Sequence, residues 1–260
     1  MRDKYVGDVG DYYKYGLLRH LIGHTAGDQS SRLKLGVVWY LFNDPCERND
    51  GNHRSYLEER NSRLFRPLDP ELYDAMSVFE DPSRRSVGEV DRLGILPGAL
   101  TFPKPLSLSR LPRGTSDAIG DRIRYRNGWL DDAVGSTAGA DIIFLDPDNG
   151  LQVPSTPFHR DAAPKYAFYS ELLPFWTRGQ SLVIYQHKNL HQKASAQITE
   201  RQEELEVNLP GGAIRSVYFP SGSGRIFIVV AQPHHSELML RRLDSFRRLG
   251  GDHIRSLPTS

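Results

Sequence analysis

The chain has 260 residues, of which 38% are hydrophobic and 25% charged, an ordinary composition for a globular protein with a buried core. Its 33 basic and 32 acidic residues leave a net charge of +1. This balance excludes a global basic field, so any affinity for nucleic acid must come from a local patch. The single cysteine, Cys46, excludes an internal disulfide and a multi-cysteine zinc site, and it fits a reducing compartment.

Helices and strands alternate along the chain. In chain order, the patterns predict a helix over 11–22, a strand over 33–42, helices over 70–79, 83–93 and 128–134, a strand over 141–145, a helix over 166–176, a strand over 181–185, a helix over 191–205, a strand over 225–231 and a helix over 236–249. The four strands are almost continuously apolar, which is typical of parallel strands with helices on both faces. The sequence therefore predicts an α/β fold with a single doubly wound, mostly parallel sheet.

The rest of the chain predicts little further structure. The stretch 102–114, rich in proline, arginine and serine, is predicted to be a surface loop. We expect one domain over residues 1–250, followed by a disordered tail over 251–260. The charged amino terminus lacks the apolar stretch of a secretory signal, and no apolar run reaches the roughly 20 residues that cross a bilayer. These features predict a cytoplasmic protein without a membrane partner.

The strongest candidate site is the segment Asp146-Pro147-Asp148-Asn149-Gly150, which follows a buried strand. Ligands of open α/β sheets bind outside the carboxyl ends of the strands. Pro147 fixes its own φ and biases Asp146 towards an extended conformation, so both carboxylates lie on a stiff turn. The alternative is an ordinary β-turn with proline at its second position. We favour a catalytic role because a turn does not need the Asp146 carboxylate within the strand end.

A second candidate segment opens the first helix. Gly7, Asp8 and Asp11 precede or begin this helix, and Lys14 lies between two tyrosines. Lys14 is suited to contact a phosphate or to lie near a base. The alternative is that Asp8 or Asp11 only caps the helix, which is a favoured role of aspartate.

Two further strand ends carry polar side chains. The loop after the first strand contains Asn43, Asp44 and Asp50, which would bind a ligand there if the loop is more than a polar connection. It lacks the repeated glycines of a dinucleotide-binding loop. The third strand ends at His187, which is suited to acid–base work near neutral pH unless it is only a satisfied strand-end histidine.

The remaining candidates are weaker. His234 and His235 have no acidic or cysteine companion, so no metal site is predicted. The final helix has a basic face, which is either solvated or able to meet phosphates. This face consists of Arg241, Arg242, Arg247 and Arg248.

At this point the residues resemble a known family. The segment from Val6 to Lys14 is similar to the opening of the bacterial ribosomal-RNA adenine-N6 methyltransferases that act on large-subunit RNA, with Gly7, Asp11 and Lys14 on the matching positions. The strand and turn over 143–148 resemble that family's Asp-Pro-Pro-Tyr motif. The likeness spans most of the chain through short motifs. Where the family has a second proline and a tyrosine, this chain has Asp148 and Asn149.

This resemblance implies a Rossmann-like sheet, an S-adenosylmethionine site and methyl transfer to an exocyclic amine of a nucleic-acid base. Asp146 would hold the target amino group, and Pro147 would shape the turn. Lys14 and residues 7–11 would line the cofactor or target pocket. A tyrosine from elsewhere would have to supply the missing aromatic platform, and the candidates are Tyr12, Tyr13 and Tyr185.

Two other functions stay open. Pro147-Asp148 followed by Gln186 and Lys188 matches a degenerate nuclease pattern, in which Asp148 would bind Mg²⁺ and Lys188 would steady the attacking water or the phosphate. The third possibility is a non-catalytic nucleotide- or partner-binding module that has kept a methyltransferase-like sheet. The acids, amides and histidine at three strand ends argue mildly against such a module.

Overall fold

The fold is built on a six-stranded sheet. The computed structural model describes residues 3, 6–25, 28, 31–42, 53–221, 224–251 and 254. The sheet has the order β2-β1-β3-β6-β8-β7, and a separate pair joins β4 to β5. The strands, in chain order, are β1 (Leu35–Val38), β2 (Leu100–Phe102), β3 (Ile142–Leu145), β4 (Gly150–Leu151), β5 (Tyr166–Ala167), β6 (Ser181–His187), β7 (Ala213–Phe219) and β8 (Arg225–Ala231).

Eight α-helices surround the sheet in the described part of the chain. They are α1 (Val9–Leu21), α2 (Glu59–Phe65), α3 (Pro70–Met76), α4 (Val87–Arg92), α5 (Ser116–Ser136), α6 (Tyr169–Thr177), α7 (Ala194–Asn208) and α8 (Pro233–Gly250). Polar side chains define several starts, as Asp69 does for α3 by accepting a hydrogen bond from Leu72 N.

The strand order creates a switch point. The strands β2, β1, β3 and β6 are mutually parallel neighbours. After β1 the chain forms β2 on one side of β1, and then it crosses to form β3 on the other side. A crevice outside the carboxyl ends of β1 and β3 is therefore the expected ligand position for this topology.

The strand β8 runs against its neighbours. It pairs antiparallel with both β6 and β7, and its first residue, Arg225, lies opposite His187 of β6 and Phe219 of β7. An antiparallel strand brings its amino end to the edge where parallel strands end. Arg225 therefore lies at the same edge of the sheet as Asp146.

Two apolar cores lie on the two faces of the sheet. Alternate residues of β3 enter different cores: Phe144 belongs to the first and Leu145 to the second. The first core includes residues of α1, α3, α4 and α8, and the second includes residues of α5, α6 and α7. Helices thus cover both faces, which confirms the predicted doubly wound α/β class.

The structure changes several predicted elements. The strands β2, β4, β5 and β7 were not predicted, and the helix predicted over 128–134 lies within the 21-residue α5. The helix predicted over 166–176 begins only at Tyr169, because β5 precedes it. The stretch 103–115 is a loop, but it is not wholly a surface loop, since Leu106 and Leu108 are fully buried. Most of the tail over 251–260 lies outside the described residues.

Candidate functional site

The site is organised around a buried ion pair. Lys14 Nζ lies 2.9 Å from Asp146 Oδ2 and 2.8 Å from Asp11 Oδ1. Lys14 and Asp146 are each only 3% exposed. Asp146 follows the last residue of β3, where its backbone N–H donates to the carbonyl of Val38 in β1. The predicted carboxylate therefore lies at the switch point, and the predicted lysine of α1 contacts it.

The start of α1 supplies two more carboxylates. Asp8 is the helix cap, because its Oδ1 accepts from Asp11 N at 2.9 Å. Its other oxygen forms an ion pair with Arg225. Asp11 Oδ2 accepts from Gly7 N at 3.1 Å, which ties the turn before the helix to the helix itself. The capping role considered for Asp8 is thus real, and the same carboxylate also belongs to the charged cluster.

Five charged side chains are connected by ion pairs and form what we call the acidic cluster: Asp8, Asp11, Asp146, Lys14 and Arg225. Three carboxylates face two cations in this set of direct contacts. Burial raises the pKa of Asp11 to about 6, assisted by the nearby Asp8 charge and opposed by Lys14. Burial lowers the pKa of Lys14, but Asp11 and Asp146 more than offset it, so this pKa lies above its ordinary value. The lysine therefore stays charged, and the raised pKa of Asp11 brings its carboxylate closer to protonation at neutral pH.

Two buried polar groups beside the acidic cluster lack partners. Lys14 Nζ lies 5.2 Å from the ring centroid of Tyr15 and 5.5 Å from that of Trp39. Among the described residues, neither the Tyr15 hydroxyl nor Trp39 Nε1 has a hydrogen-bond partner. A buried donor without an acceptor costs about 1–3 kcal/mol. A ligand or water that supplies an acceptor here would recover this free energy.

The backbone just after β1 is strained. Tyr40 has a φ of +44°, which is the only positive φ of a non-glycine residue in the described ranges. Its buried hydroxyl donates to Glu171 Oε2 at 3.2 Å, and Arg126 holds the same carboxylate from Nε at 2.6 Å. A residue held in this region costs about 1–3 kcal/mol and commonly marks a functional site. The strain lies at the strand end that borders the switch point.

The turn after Asp146 is held by Gln186 from β6. Gln186 Oε1 accepts from Leu151 N at 2.9 Å, and its Nε2 donates to the carbonyls of Asn149 and His187 at 3.2 and 3.0 Å. A side chain on Gly150, whose φ is +108°, would lie 2.3 Å from Gln186 Oε1. Both Asp148 and Asn149 are half-buried, while Pro147 is buried. Gln186 therefore fixes the turn, and only glycine fits at its tightest point.

His187 lies beyond this turn rather than in the acidic cluster. Its Nδ1 lies 3.0 Å from the Tyr185 hydroxyl. Burial lowers the pKa of His187, as do Arg225 and Lys188, while Asp148 opposes them. The imidazole is consequently neutral at pH 7 and has to act as a base if it acts at all.

Some of the predicted residues lie outside the described part of the chain, and others contact groups outside the acidic cluster. Asn43, Asp44, Asp50 and Cys46 lie outside the described residues. The basic face predicted on α8 is not wholly solvated: Arg242 is buried and bonds Asp28 Oδ2 at 2.7 Å. In the described ranges, no group of three or more His, Cys, Asp or Glu side chains could hold a metal ion.

Three residues at the site were missed from the sequence. Arg225 is the first residue of an apolar strand, and from its sequence neighbours it looks like an ordinary polar residue at a strand end. It reaches Asp8 only because β8 runs antiparallel to β6. Trp39 and Tyr40 read as strand residues, because they continue the apolar run of β1. Their position at the end of β1 was the available signal. The sequence did not reveal that Trp39 Nε1 has no partner among the described residues, or that the backbone of Tyr40 is strained.

Comparison of the chain with protein-family models, with curated proteins and with solved structures finds no match. The fold itself defines the class as Rossmann-like α/β. Among the described helices, none combines the length and the apolar character required to span a membrane.

Proposed function

We propose that this chain is an S-adenosylmethionine-dependent methyltransferase that acts on an exocyclic amine of a nucleic-acid base. The observation that carries the proposal is the position of Asp146 at the switch point, in direct contact with Lys14 of α1. The family resemblance rests on two motifs, which are the segment that opens α1 and the Asp-Pro turn after β3. Lys14 belongs to the first motif and Asp146 to the second. In space these motifs form one site.

The residues present fit a cation-bearing cofactor. The acidic cluster places the carboxylates of Asp8, Asp11 and Asp146 around Lys14 and Arg225. Carboxylates favour a positively charged ligand nearby. The cluster and the rings of Trp39 and Tyr15 would hold the cofactor, and Trp39 Nε1 would donate to one of its acceptor atoms. When bound, S-adenosylmethionine supplies an activated methyl group on a sulfonium.

The chain's own residues position the acceptor. Asp146 accepts a hydrogen bond from the target amino group, and the rigid Asp-Pro turn limits where that group can lie. Lys14 orients this carboxylate through a hydrogen bond from Nζ to Oδ2. Gln186 keeps the following turn in register with β6. These roles are positioning and binding, which are the contributions that a protein makes to a transfer whose reactive group belongs to a cofactor.

Calorimetric titration with S-adenosylmethionine and S-adenosylhomocysteine tests the proposal. We expect micromolar binding, roughly −8 kcal/mol. Lys14→Met and Asp146→Asn should each weaken it at least about tenfold, which is about 1.4 kcal/mol. Asparagine is preferred to alanine at position 146 because the side chain is buried. No binding at millimolar ligand would refute the proposal.

A matched control separates loss of binding from loss of folding. Arg19 of α1 also forms a buried ion pair, with Asp69 at 2.6 Å, and it has no contact with the acidic cluster. Arg19→Met should destabilise the protein while it leaves cofactor affinity unchanged. Binding without transfer to RNA or DNA oligonucleotides would instead support the non-catalytic binding module.

The nuclease alternative is less well supported. It needs Gln186 as a ligand or organiser of a metal site together with Asp148. In the structure the amide of Gln186 makes three hydrogen bonds to the backbone of the turn and of its own strand. We therefore keep methyl transfer as the proposal.

A further inference from the structure

A basic groove lies at the edge of the sheet where the parallel strands end. It has a volume of about 570 Å³ and runs between the loop after β6 and the edge strand β7. Its lining includes Lys188, Leu190, His191, Lys193 and Tyr218. Lys188 directly follows His187, the last residue of β6, so the groove opens at the edge of the sheet where β3 delivers Asp146.

The two lysines of the groove lack acidic partners. Lys188 Nζ donates only to the carbonyl of Asn189, at 3.3 Å, and within the described part of the chain neither Lys188 nor Lys193 forms an ion pair. Elsewhere, Lys104 pairs with Asp132 at 2.6 Å. The acid bonded to a lining side chain is Glu200, which accepts from Gln192 at 3.0 Å. The groove therefore presents positive charge that the described side chains do not neutralise.

The position of Lys193 is unfavourable for stability. Lys193 precedes the 15-residue helix α7 and makes no side-chain capping bond. A cation near the amino end of a helix is repelled by the helix dipole, by an amount of the order of 0.3–1 kcal/mol. An anionic partner of Lys193 would offset this repulsion.

The groove also has features suited to a strand of nucleic acid. Leu190 is 81% exposed, and the half-buried ring of Tyr218 forms part of the wall. Gly224 has a φ of +73°, and a side chain there would approach both Lys188 and Tyr218 to 3.1 Å. Glycine at this position thus keeps the lysine and the tyrosine close together. Lysines combined with an aromatic side chain are the combination that single-strand binders use.

We propose that this groove binds the phosphodiester backbone of a single-stranded nucleic acid, through Lys188 and Lys193. The inference rests on the proposed function, because it supplies the strand whose base would reach Asp146. It adds to that function a substrate class, an unpaired strand, and a binding surface distinct from the acidic cluster.

Fluorescence anisotropy with a labelled single-stranded RNA of about 12 nucleotides tests the groove on the full chain. Titrations at several salt concentrations from about 50 to about 200 mM give the slope of log affinity against log salt. Lys188→Ala/Lys193→Ala should reduce the slope by about 1.4, from about 0.7 for each lost phosphate contact. Affinity at the lower salt should fall at least tenfold. The matched control is Arg32→Ala/Lys34→Ala, which removes two exposed charges beside the amino end of β1, at the opposite edge of the sheet.

The outcomes separate this inference from the proposed function. An unchanged slope in the Lys188/Lys193 variant, or an equal loss in the control, overturns the groove. Binding of anionic phospholipid vesicles without binding of RNA also overturns it. Calorimetry with S-adenosylhomocysteine on the same variant should give wild-type affinity. RNA binding that depends on the lysines, in a protein that binds no cofactor, supports the groove and refutes methyl transfer.

Discussion

Lys14 and Asp146 are 132 residues apart in the chain, and their side chains meet at 2.9 Å in an almost fully buried contact. The pair joins the first helix to the central strand β3 at the switch point of the sheet. Because Asp11 shares the same ammonium, one lysine forms buried ion pairs with two carboxylates. This relationship links the stability of the fold to the chemistry of the site.

The Lys14–Asp146 pair should be strongly coupled in stability. Lys14→Met leaves both carboxylates without their ammonium, and breaking a buried pair costs about 3–5 kcal/mol. The double variant Lys14→Met/Asp146→Asn removes one of the two carboxylates that have lost the ammonium. Its unfolding free energy should therefore be higher than that of Lys14→Met. Urea unfolding at pH 7 of the wild type, both single variants and the double variant gives the coupling energy. If the stability losses of the two single variants add up to the loss of the double variant, the contact contributes nothing to stability.

Asp11 should make stability depend on pH in a definite direction. Burial raises its pKa from an ordinary value of 3.8 to about 6 in the folded protein. A raised pKa contributes stability that is fully present below pH 4 and is lost as pH rises through 6. The unfolding free energy of the wild type minus that of Asp11→Asn should therefore fall by about 3 kcal/mol across this window. A difference that stays constant or increases with pH would contradict the assignment.

Gly10 should be intolerant of a side chain, in contrast to Gly16 of the same helix. A Cβ on Gly10 would lie 1.4 Å from Nη1 of Arg225, so the guanidinium would have to leave Asp8. We expect Gly10→Ala to cost about 2–4 kcal/mol, which is the loss of a buried pair reduced by the better helix propensity of alanine.

Gly16 provides the control, since its nearest neighbour would be Phe246 at 3.5 Å, an ordinary contact. Gly16→Ala should gain up to about 1 kcal/mol. Thermal and urea unfolding of the two variants should therefore move in opposite directions. Shifts of the same sign and size would mean that Arg225 does not cross Gly10.

Gln186→Glu distinguishes a structural amide from a metal ligand. The amide nitrogen donates to two backbone carbonyls, and a carboxylate oxygen in its place would repel both. Loss of such buried donors costs about 1–3 kcal/mol each. We expect a destabilised protein without Mg²⁺ affinity by calorimetry. Retained stability together with new or tighter Mg²⁺ binding would favour the nuclease alternative.

The sheet could be predicted where strands were continuously apolar. The strands β3, β6 and β8 lie within or close to their predicted ranges, and β1 is found as the shorter central part of its range. The strand β2 has only three residues, and β7 has Arg215 and Ser216 among its apolar residues, so neither produced an apolar run. The helix α5 contains three glycines and many charged residues, which hid its length.

The site could be predicted only in part. Asp146 was found because a carboxylate at the end of a buried strand is locally unusual, and Lys14 was found because it lies among tyrosines and acids. The family resemblance assigned both residues to the site, but it did not predict the contact between them. The position of Arg225 depends on β8 running antiparallel, which is a property of the whole sheet and leaves no mark on the residues around it.

The ion pair between Asp8 and Arg225 spans 217 residues. During translation, the segment with Asp8 is synthesised long before β8. The Asp8 carboxylate therefore cannot pair with Arg225 until most of the chain has been made. A product that stops before residue 225 retains this carboxylate without its arginine, at the margin of an exposed apolar sheet. Such fragments should be poor at folding and good targets for chaperones and proteases. Because this contact joins the first helix to β8, the complete site can form only after the chain has been synthesised past Arg225.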